Sequence, residues 1–218
     1  MSVTGIIFDM DGTLWDSSQE VADSWTEVLQ RHPEMDRVIT RADMQSVMGM
    51  PMTGIAETLF SGLEHEQQMK LLDECTAYEN EYLETHGGYL YPDLELTLER
   101  LSREYPLFIV SNCQSGYIEA FLKHYDFGQY FRDHLCFGDN GLPKSDNIRA
   151  VARRNRLDIY YYVGDIQADY DAAAKAGGQF IHAAYGYGTI RRPVPRILAF
   201  AELPRLLRSI EMSDREER

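Results

Sequence analysis

Two aspartates, Asp9 and Asp11, stand directly after the first apolar stretch of the chain. That stretch, residues 6–8, is typical of a short buried strand, and the residues that follow it at 9–14 read Asp-Met-Asp-Gly-Thr-Leu. Carboxylates are costly to bury in an apolar core. We therefore expect them in the crevice past the carboxyl end of a central parallel strand, where open α/β sheets bind their ligands.

Polar side chains also follow the other predicted strands, which we place at residues 107–110, 135–137, 159–163 and 180–183. The carboxyl ends of parallel strands meet at one edge of a sheet, so polar residues that are far apart in sequence can converge there. These residues are Asp9, Asp11, Ser111, Asn112, Lys144, Asp165 and Asp169. Carboxylates without a paired His or Cys are oxygen ligands for a hard ion, and Mg²⁺ is favoured because it also accepts waters and phosphate oxygens.

The elements that must position these residues fall into two groups. Helical spacing of apolar residues predicts helices over about 21–29, with Ser17 or Ser18 as the N-cap, and over 41–48, 53–60 and 64–85. From residue 91 onward, the predicted strands alternate with helices near 94–103, 116–124, 147–155 and 168–176. The sequence therefore predicts a doubly wound parallel α/β sheet, built from 1–14 and 90–218, that carries an all-helical domain inserted at 15–89.

Charge and composition exclude several classes of function. The net charge is −14, which disfavours binding to the phosphate backbone of nucleic acids. Residues 15–89 hold 15 acidic and four basic residues, so most of the negative charge lies in the insertion. No apolar run is long enough for a membrane span and no secretory leader is visible, so we expect a cytoplasmic protein. Three cysteines without a CxxC pair predict reduced thiols, with Cys113 a small buried residue.

Taken together, the Asp-Met-Asp-Gly-Thr-Leu run, Ser111-Asn112, Lys144 and the Gly164-Asp165-x-x-x-Asp169 segment resemble the four motifs of the haloacid dehalogenase superfamily. Helices inserted directly after the first motif resemble the C1 cap of that superfamily. The residues after this motif are similar to the branch that contains phosphoglycolate phosphatase and β-phosphoglucomutase. The resemblance implies a Rossmann-like core and spans nearly the whole chain.

The resemblance also implies roles for the four aspartates. Asp9 would be the nucleophile that forms an aspartyl-phosphate, and with Asp165 it would bind Mg²⁺. Asp11 would coordinate the metal through its backbone carbonyl, while its side chain would act first as general acid and then as general base. Asp169 would bind the metal directly or through a water.

The remaining motif residues would surround the transferring phosphoryl group. Gly12 permits a tight turn away from the strand, and the Thr13 hydroxyl can orient the nucleophile. Ser111, Asn112 and Lys144 would hold the phosphoryl oxygens, with Lys144 as the compensating positive charge.

We therefore predict a Mg²⁺-dependent phosphatase, a monomer or weak dimer, that acts on small phosphate monoesters. A phosphosugar mutase similar to β-phosphoglucomutase shares every core motif and stays an alternative, as does a non-catalytic interaction module. Because the insertion is strongly acidic, we expect esters with neutral alcohol portions to be preferred over phosphoglycolate. The methionines at 44, 48, 50 and 52 fit either the packing of short helices, which we favour, or a substrate surface.

Overall fold

A parallel β-sheet brings the predicted strand ends together at one edge. The computed structural model describes residues 3–32, 35 and 37–216. Within them the strands are β1 (Thr4–Phe8), β2 (Trp15–Asp16), β3 (Tyr89–Leu90), β4 (Leu107–Ser111), β5 (Phe131–Cys136), β6 (Ile159–Gly164), β7 (Gln179–Ala183) and β8 (Arg196–Ile197). Six of these form the sheet, in the order β5-β4-β1-β6-β7-β8. Every neighbouring pair in it is parallel, which confirms the predicted doubly wound α/β class.

The helices of the described residues include the eight predicted from sequence and two that were not predicted, at Phe137–Asn140 and Leu203–Glu216. They are α1 (Ser18–Leu29), α2 (Arg41–Val47), α3 (Met52–Leu59), α4 (His65–His86), α5 (Leu94–Ser102), α6 (Tyr117–Tyr125), α7 (Phe137–Asn140), α8 (Lys144–Arg154), α9 (Gln167–Ala176) and α10 (Leu203–Glu216). Short 3₁₀ turns lie at Phe127–Gln129 and Phe200–Glu202.

Strand β1 is central because β4 pairs with it on one side and β6 on the other. Phe8 lies opposite Ile109 of β4 and Val163 of β6, so the three strands end almost level. Since β4 and β5 lie on one side of β1 and β6 to β8 on the other, the strand order reverses at β1. In open α/β sheets, ligands bind in the crevice at such a reversal.

Alternating side chains of β1 pack against two different helical layers. Ile6 and Phe8 are fully buried in the larger core cluster, where Phe8 packs 5.7 Å from the ring of Phe200. Ile7 points to the opposite face and packs with Ile148 of α8 and Ala173 of α9. Burial on both faces explains why β1 is a continuous apolar run.

The helical insertion is bounded by a small ribbon that sequence patterns did not predict. Trp15 pairs with Leu90 and Asp16 with Tyr89 as antiparallel partners, so β2 and β3 close the base of the insertion. Helices α1 to α4 lie between them, and the Trp25 ring of α1 stacks on Phe60 at 5.7 Å.

Strand β5 begins earlier than the predicted strand at 135–137. The difference arises because β5 is an edge strand, and its central residues are only partly buried and include the polar Asp133 and His134. No helix in the described part of the chain is long and apolar enough to cross a membrane.

Candidate active site

Three buried aspartates from two strand ends form the centre of the site. Asp9 follows β1, Asp165 follows β6 and Asp169 lies in the first turn of α9. One carboxylate oxygen from each lies within 4.8 Å of the others, and the three side chains are almost inaccessible to solvent. Lys144, the first residue of α8, donates hydrogen bonds from Nζ to Asp9 Oδ1 at 2.9 Å and to Asp169 Oδ1 at 2.7 Å.

The electrostatics of this cluster favour a bound cation. Burial, and then the charge of Asp169, raise the pKa of Asp9 to about 7 although Lys144 opposes the shift. Burial also raises the pKa of Asp165 well above its usual range. For Lys144, burial opposes the charged form, but Asp169 and Asp9 outweigh it and raise the pKa of the ammonium. Three carboxylates around one ammonium leave excess negative charge, so these oxygen donors fit a hard divalent ion such as Mg²⁺.

The second oxygen of Asp169 fixes the turn that carries Asp165. Asp169 Oδ2 accepts hydrogen bonds from the backbone N–H groups of Asp165 at 3.1 Å and Ile166 at 3.2 Å. Asp169 thus reaches back from the first turn of α9 to the backbone before the helix, and this contact explains the spacing of four residues between the two aspartates.

Glycines hold the loops close to the Asp165 carboxylate. Gly12 has a φ of +77°, and a Cβ there would lie 2.2 Å from Asp165 Oδ2. A Cβ on Gly186 would lie 2.4 Å from Asp165 Cβ. This approach lets the Tyr187 N–H donate to Asp165 Oδ2 at 2.7 Å, which sets the orientation of that carboxylate.

Asp11 occupies a separate environment and is not part of the acidic cluster. Its Oδ1 accepts hydrogen bonds from the Ser17 hydroxyl at 2.7 Å and the Tyr117 hydroxyl at 2.6 Å. Burial raises the pKa of Asp11, while the bonds from Tyr117 and Ser17 oppose the shift. Ser17 stands at the predicted N-cap of α1, but its side chain makes no capping bond and contacts Asp11 instead.

The other predicted site residues lie around Asp9. Ser111 is the last residue of β4 and is buried. Asn112 follows it and donates from Nδ2 to the carbonyl of Gly49, in the insertion, at 3.0 Å. The Thr13 hydroxyl is buried and has no hydrogen-bond partner among the described residues, so it makes no direct bond to the Asp9 carboxylate.

A narrow cavity of about 30 Å³ opens over Asp9 and Asp11 and runs beneath the insertion. Its apolar wall comes from the insertion and consists of Val21, Trp25, Met44, Met48, Met50, Met52 and Ile55. The four methionines thus line a cavity next to the predicted site, which was the less favoured interpretation, although Met44 is also buried in the core. Cys113 lines the same space, and burial raises the pKa of its thiol well above the usual range, as expected of an unreactive buried cysteine.

Four residues around the site were not identified from sequence: Ser17 as a partner of Asp11, Tyr117, Glu79 and Tyr187. A signal existed for Tyr187, because it follows β7 at the same sheet edge as the other strand ends. Tyr117 and Glu79 occupy ordinary helix positions, and no local pattern marks them.

Comparison with known proteins agrees with the geometry. The model of the family described as haloacid dehalogenase-like hydrolase matches residues 6–183. The chain is 27% identical over 220 aligned positions to a phosphoglycolate phosphatase from Escherichia coli (strain K12), covering 85% of this chain and 82% of that protein. It is 24% identical over 204 positions to a phosphoglycolate phosphatase from Aquifex aeolicus (strain VF5), covering 87% and 89%.

The fold is also similar to that of solved structures. A haloacid dehalogenase-like family hydrolase from Streptococcus pneumoniae superimposes with a TM-score of 0.76 at 21% identity. The alignment covers 94% of this chain and 98% of that structure. The similarity therefore includes both the sheet and the helical insertion.

Proposed function

Because the chain belongs to the haloacid dehalogenase-like hydrolases, we propose that it is a Mg²⁺-dependent phosphatase that hydrolyses small phosphate monoesters through an aspartyl-phosphate on Asp9. The observation that carries this proposal is that one cavity holds two carboxylates, Asp9 and Asp11, in different surroundings. Asp9 lies in a buried acidic cluster with Lys144, whereas Asp11 is held apart by two hydroxyl groups.

Mg²⁺ would be held by the carboxylates of Asp9 and Asp165 and by the backbone carbonyl of Asp11, with Asp169 as a direct or water-mediated ligand. Bound there, the ion supplies positive charge that reduces repulsion between the nucleophile and the phosphoryl oxygens. The fit rests on the buried oxygen donors and on their excess negative charge.

In the first step, a carboxylate oxygen of Asp9 attacks phosphorus, and the bond between phosphorus and the alcohol oxygen breaks. Asp11 protonates the departing alcohol, and burial suits it to this task by raising its pKa. In the second step, Asp11 takes a proton from water, which attacks phosphorus and releases phosphate and free Asp9.

The remaining site residues would hold the phosphoryl group during both steps. Lys144 already contacts Asp9, so its ammonium is positioned to bind a phosphoryl oxygen beside the nucleophile. The Ser111 hydroxyl, the Thr13 hydroxyl and the Asn112 amide would supply further donors.

We further propose that residues 15–89 form a cap that closes over the core formed by 1–14 and 90–218. The bond from Asn112 to Gly49 joins the phosphate-binding loop to this insertion. Closure would exclude bulk water from the acyl phosphate until the alcohol has left.

The test is to assay the wild-type chain and Asp9→Asn with Mg²⁺ on a panel of phosphate monoesters, with release of inorganic phosphate as the readout. We expect Asp9→Asn to lose at least about a thousandfold in kcat, because the nucleophile is removed. Asp171→Asn is the matched control, since Asp171 is an exposed residue of α9. Acid-quenched wild type should also yield a phosphorylated peptide that contains Asp9 and loses its phosphate on hydroxylamine treatment.

The alternatives give different results in the same experiment. Conversion of a hexose 1-phosphate to the 6-phosphate without free phosphate would identify a mutase. A folded wild-type chain with no turnover on the whole panel would favour the interaction module.

A further inference from the structure

Glu79 is a buried acid that the proposed reaction does not use. It lies on α4 of the insertion, is only 3% exposed, and lines the cavity that opens on Asp9 and Asp11. Burial is costly for a carboxyl group unless it has partners. Glu79 has two: Trp25 donates from Nε1 to Oε2 at 2.5 Å, and Gln114 donates from Nε2 to Oε1 at 3.1 Å.

These partners determine which chemical group the cavity can accept beside Glu79. An indole N–H can only donate, and the Gln114 amide is also held by a 3.1 Å bond to Asn80 Oδ1. Each Glu79 oxygen therefore accepts one of these bonds and keeps a lone pair for a further donor. When Glu79 is ionised it can only accept hydrogen bonds, so the complementary ligand group is a donor.

The charge of the cavity works against an anionic group at this position. Burial raises the pKa of Glu79 to about 7, and the nearby Asp11 adds to the shift. A hydroxyl or ammonium partner would favour the ionised form, whereas a second carboxylate would be repelled by it. None of the described residues that line the cavity is basic, so a ligand carboxylate would find no counterion there.

The basic residues of the insertion point elsewhere. Arg41 binds Asp16 Oδ2 at 2.6 Å, Arg31 lies 4.4 Å over the Tyr78 ring, Arg37 contacts the carbonyl of Leu59, and Lys70 lines a different cavity. Apart from Glu79, the part of the wall that the insertion contributes is apolar and suits a short carbon skeleton.

We propose that Glu79 determines specificity for the leaving alcohol, by accepting a hydrogen bond from a hydroxyl or ammonium group on it and by disfavouring esters that carry a carboxylate. The inference rests on the proposed phosphatase function. The preferred ester would differ from phosphoglycolate, the substrate in the names of the relatives from Escherichia coli and Aquifex aeolicus, because phosphoglycolate carries a carboxylate.

The experiment uses two-carbon and four-carbon alkyl phosphates that end in methyl, hydroxyl, ammonium or carboxylate. In the wild type, kcat/KM should be higher for a donor-terminated ester than for the methyl-terminated ester of equal length, and lowest for the carboxylate. The better of the hydroxyl and ammonium arms identifies the donor. A carboxylate ester turned over faster than every donor-terminated ester would overturn the inference without any variant.

Glu79→Gln then tests the residue itself. We expect the advantage of the best donor ester over its methyl counterpart to fall about tenfold or more, because a charge-assisted hydrogen bond is lost. The methyl-terminated ester should change less than about threefold. Glu81→Gln, at an exposed position of the same helix, is the matched control and should leave all ratios unchanged.

The outcomes separate this inference from the proposed function. Unchanged ratios in Glu79→Gln, with methyl-terminated esters still hydrolysed, overturn the role of Glu79 and leave the phosphatase proposal standing. Failure of the wild type to hydrolyse any ester, p-nitrophenyl phosphate included, overturns both.

Discussion

Replacing Glu79 by glutamine should raise the free energy of unfolding relative to the wild type as the pH rises. The folded protein holds the Glu79 proton more tightly than the unfolded chain does, because burial raises the pKa from 4.5 to about 7. The contribution of Glu79 to stability is therefore fully present below pH 4.5 and is lost as the pH rises to about 7. Glutamine has nearly the same shape and does not titrate. Its one amide oxygen can keep the bond from Trp25 but not also the bond from Gln114, and this loss is the same at every pH.

The size of the effect follows from the shift. At about 1.4 kcal/mol per pKa unit, the change from 4.5 to about 7 means that the ionised side chain costs the folded state about 3.5 kcal/mol. At pH 5 the cost is about 1 kcal/mol, since the folded chain still keeps the proton. The free energy of unfolding of Glu79→Gln, relative to that of the wild type, should thus rise by about 2.5 kcal/mol between pH 5 and pH 8.5.

Urea unfolding at several pH values, with a chelator present, measures this difference. Other titrating groups are shared by both proteins, so their contributions cancel in the comparison. Glu81→Gln should show no comparable trend. A difference in the free energy of unfolding that stays constant with pH, or that moves in favour of the wild type as pH rises, would refute the reasoning. It would mean that burial does not destabilise the ionised Glu79 carboxylate.

Two further predictions concern the contacts of Asp11 and Asp165. Tyr117→Phe removes a 2.6 Å bond that lowers the pKa of Asp11. We therefore expect kcat to fall about tenfold and the limb of the pH–rate profile assigned to Asp11 to move to higher pH. A profile that does not move would argue against this contact. Gly12→Ala places a Cβ against Asp165 at a φ of +77°, so Mg²⁺ affinity measured by calorimetry should fall about 10- to 100-fold. Unchanged affinity there would show that the Asp165 carboxylate does not bind the metal.

The position of a residue can be predicted best from sequence where the residue directly follows a strand. The sequence predicts the convergence of Asp9, Ser111 and Asp165, because apolar runs mark buried strands and parallel strands end at one edge of a sheet. The structure places all three at that edge. The same rule would have extended to Tyr187 had the glycine-rich stretch after β7 been treated as another strand end.

The sequence is least informative where the position of a residue depends on tertiary packing. The insertion contains 15 acidic residues, and nothing local distinguishes Glu79 from those on solvated helix faces. Its place in the cavity results from the packing of α1 against α4 and from Gln114 across the boundary with the core. Strand β5 was shortened in the prediction because its edge position tolerates polar residues, which interrupts the apolar signal.

Tyr187 links the acidic cluster to the base of the insertion through two hydrogen bonds. Its backbone N–H holds Asp165, while its hydroxyl donates to Asp16 Oδ1 at 2.7 Å in the ribbon strand β2. Asp16 in turn binds Arg41 at the start of α2. If the insertion rotated about this ribbon, the bond between Tyr187 and Asp16 would be strained or broken. Because Tyr187 also holds Asp165, such a rotation would disturb the orientation of the Asp165 carboxylate.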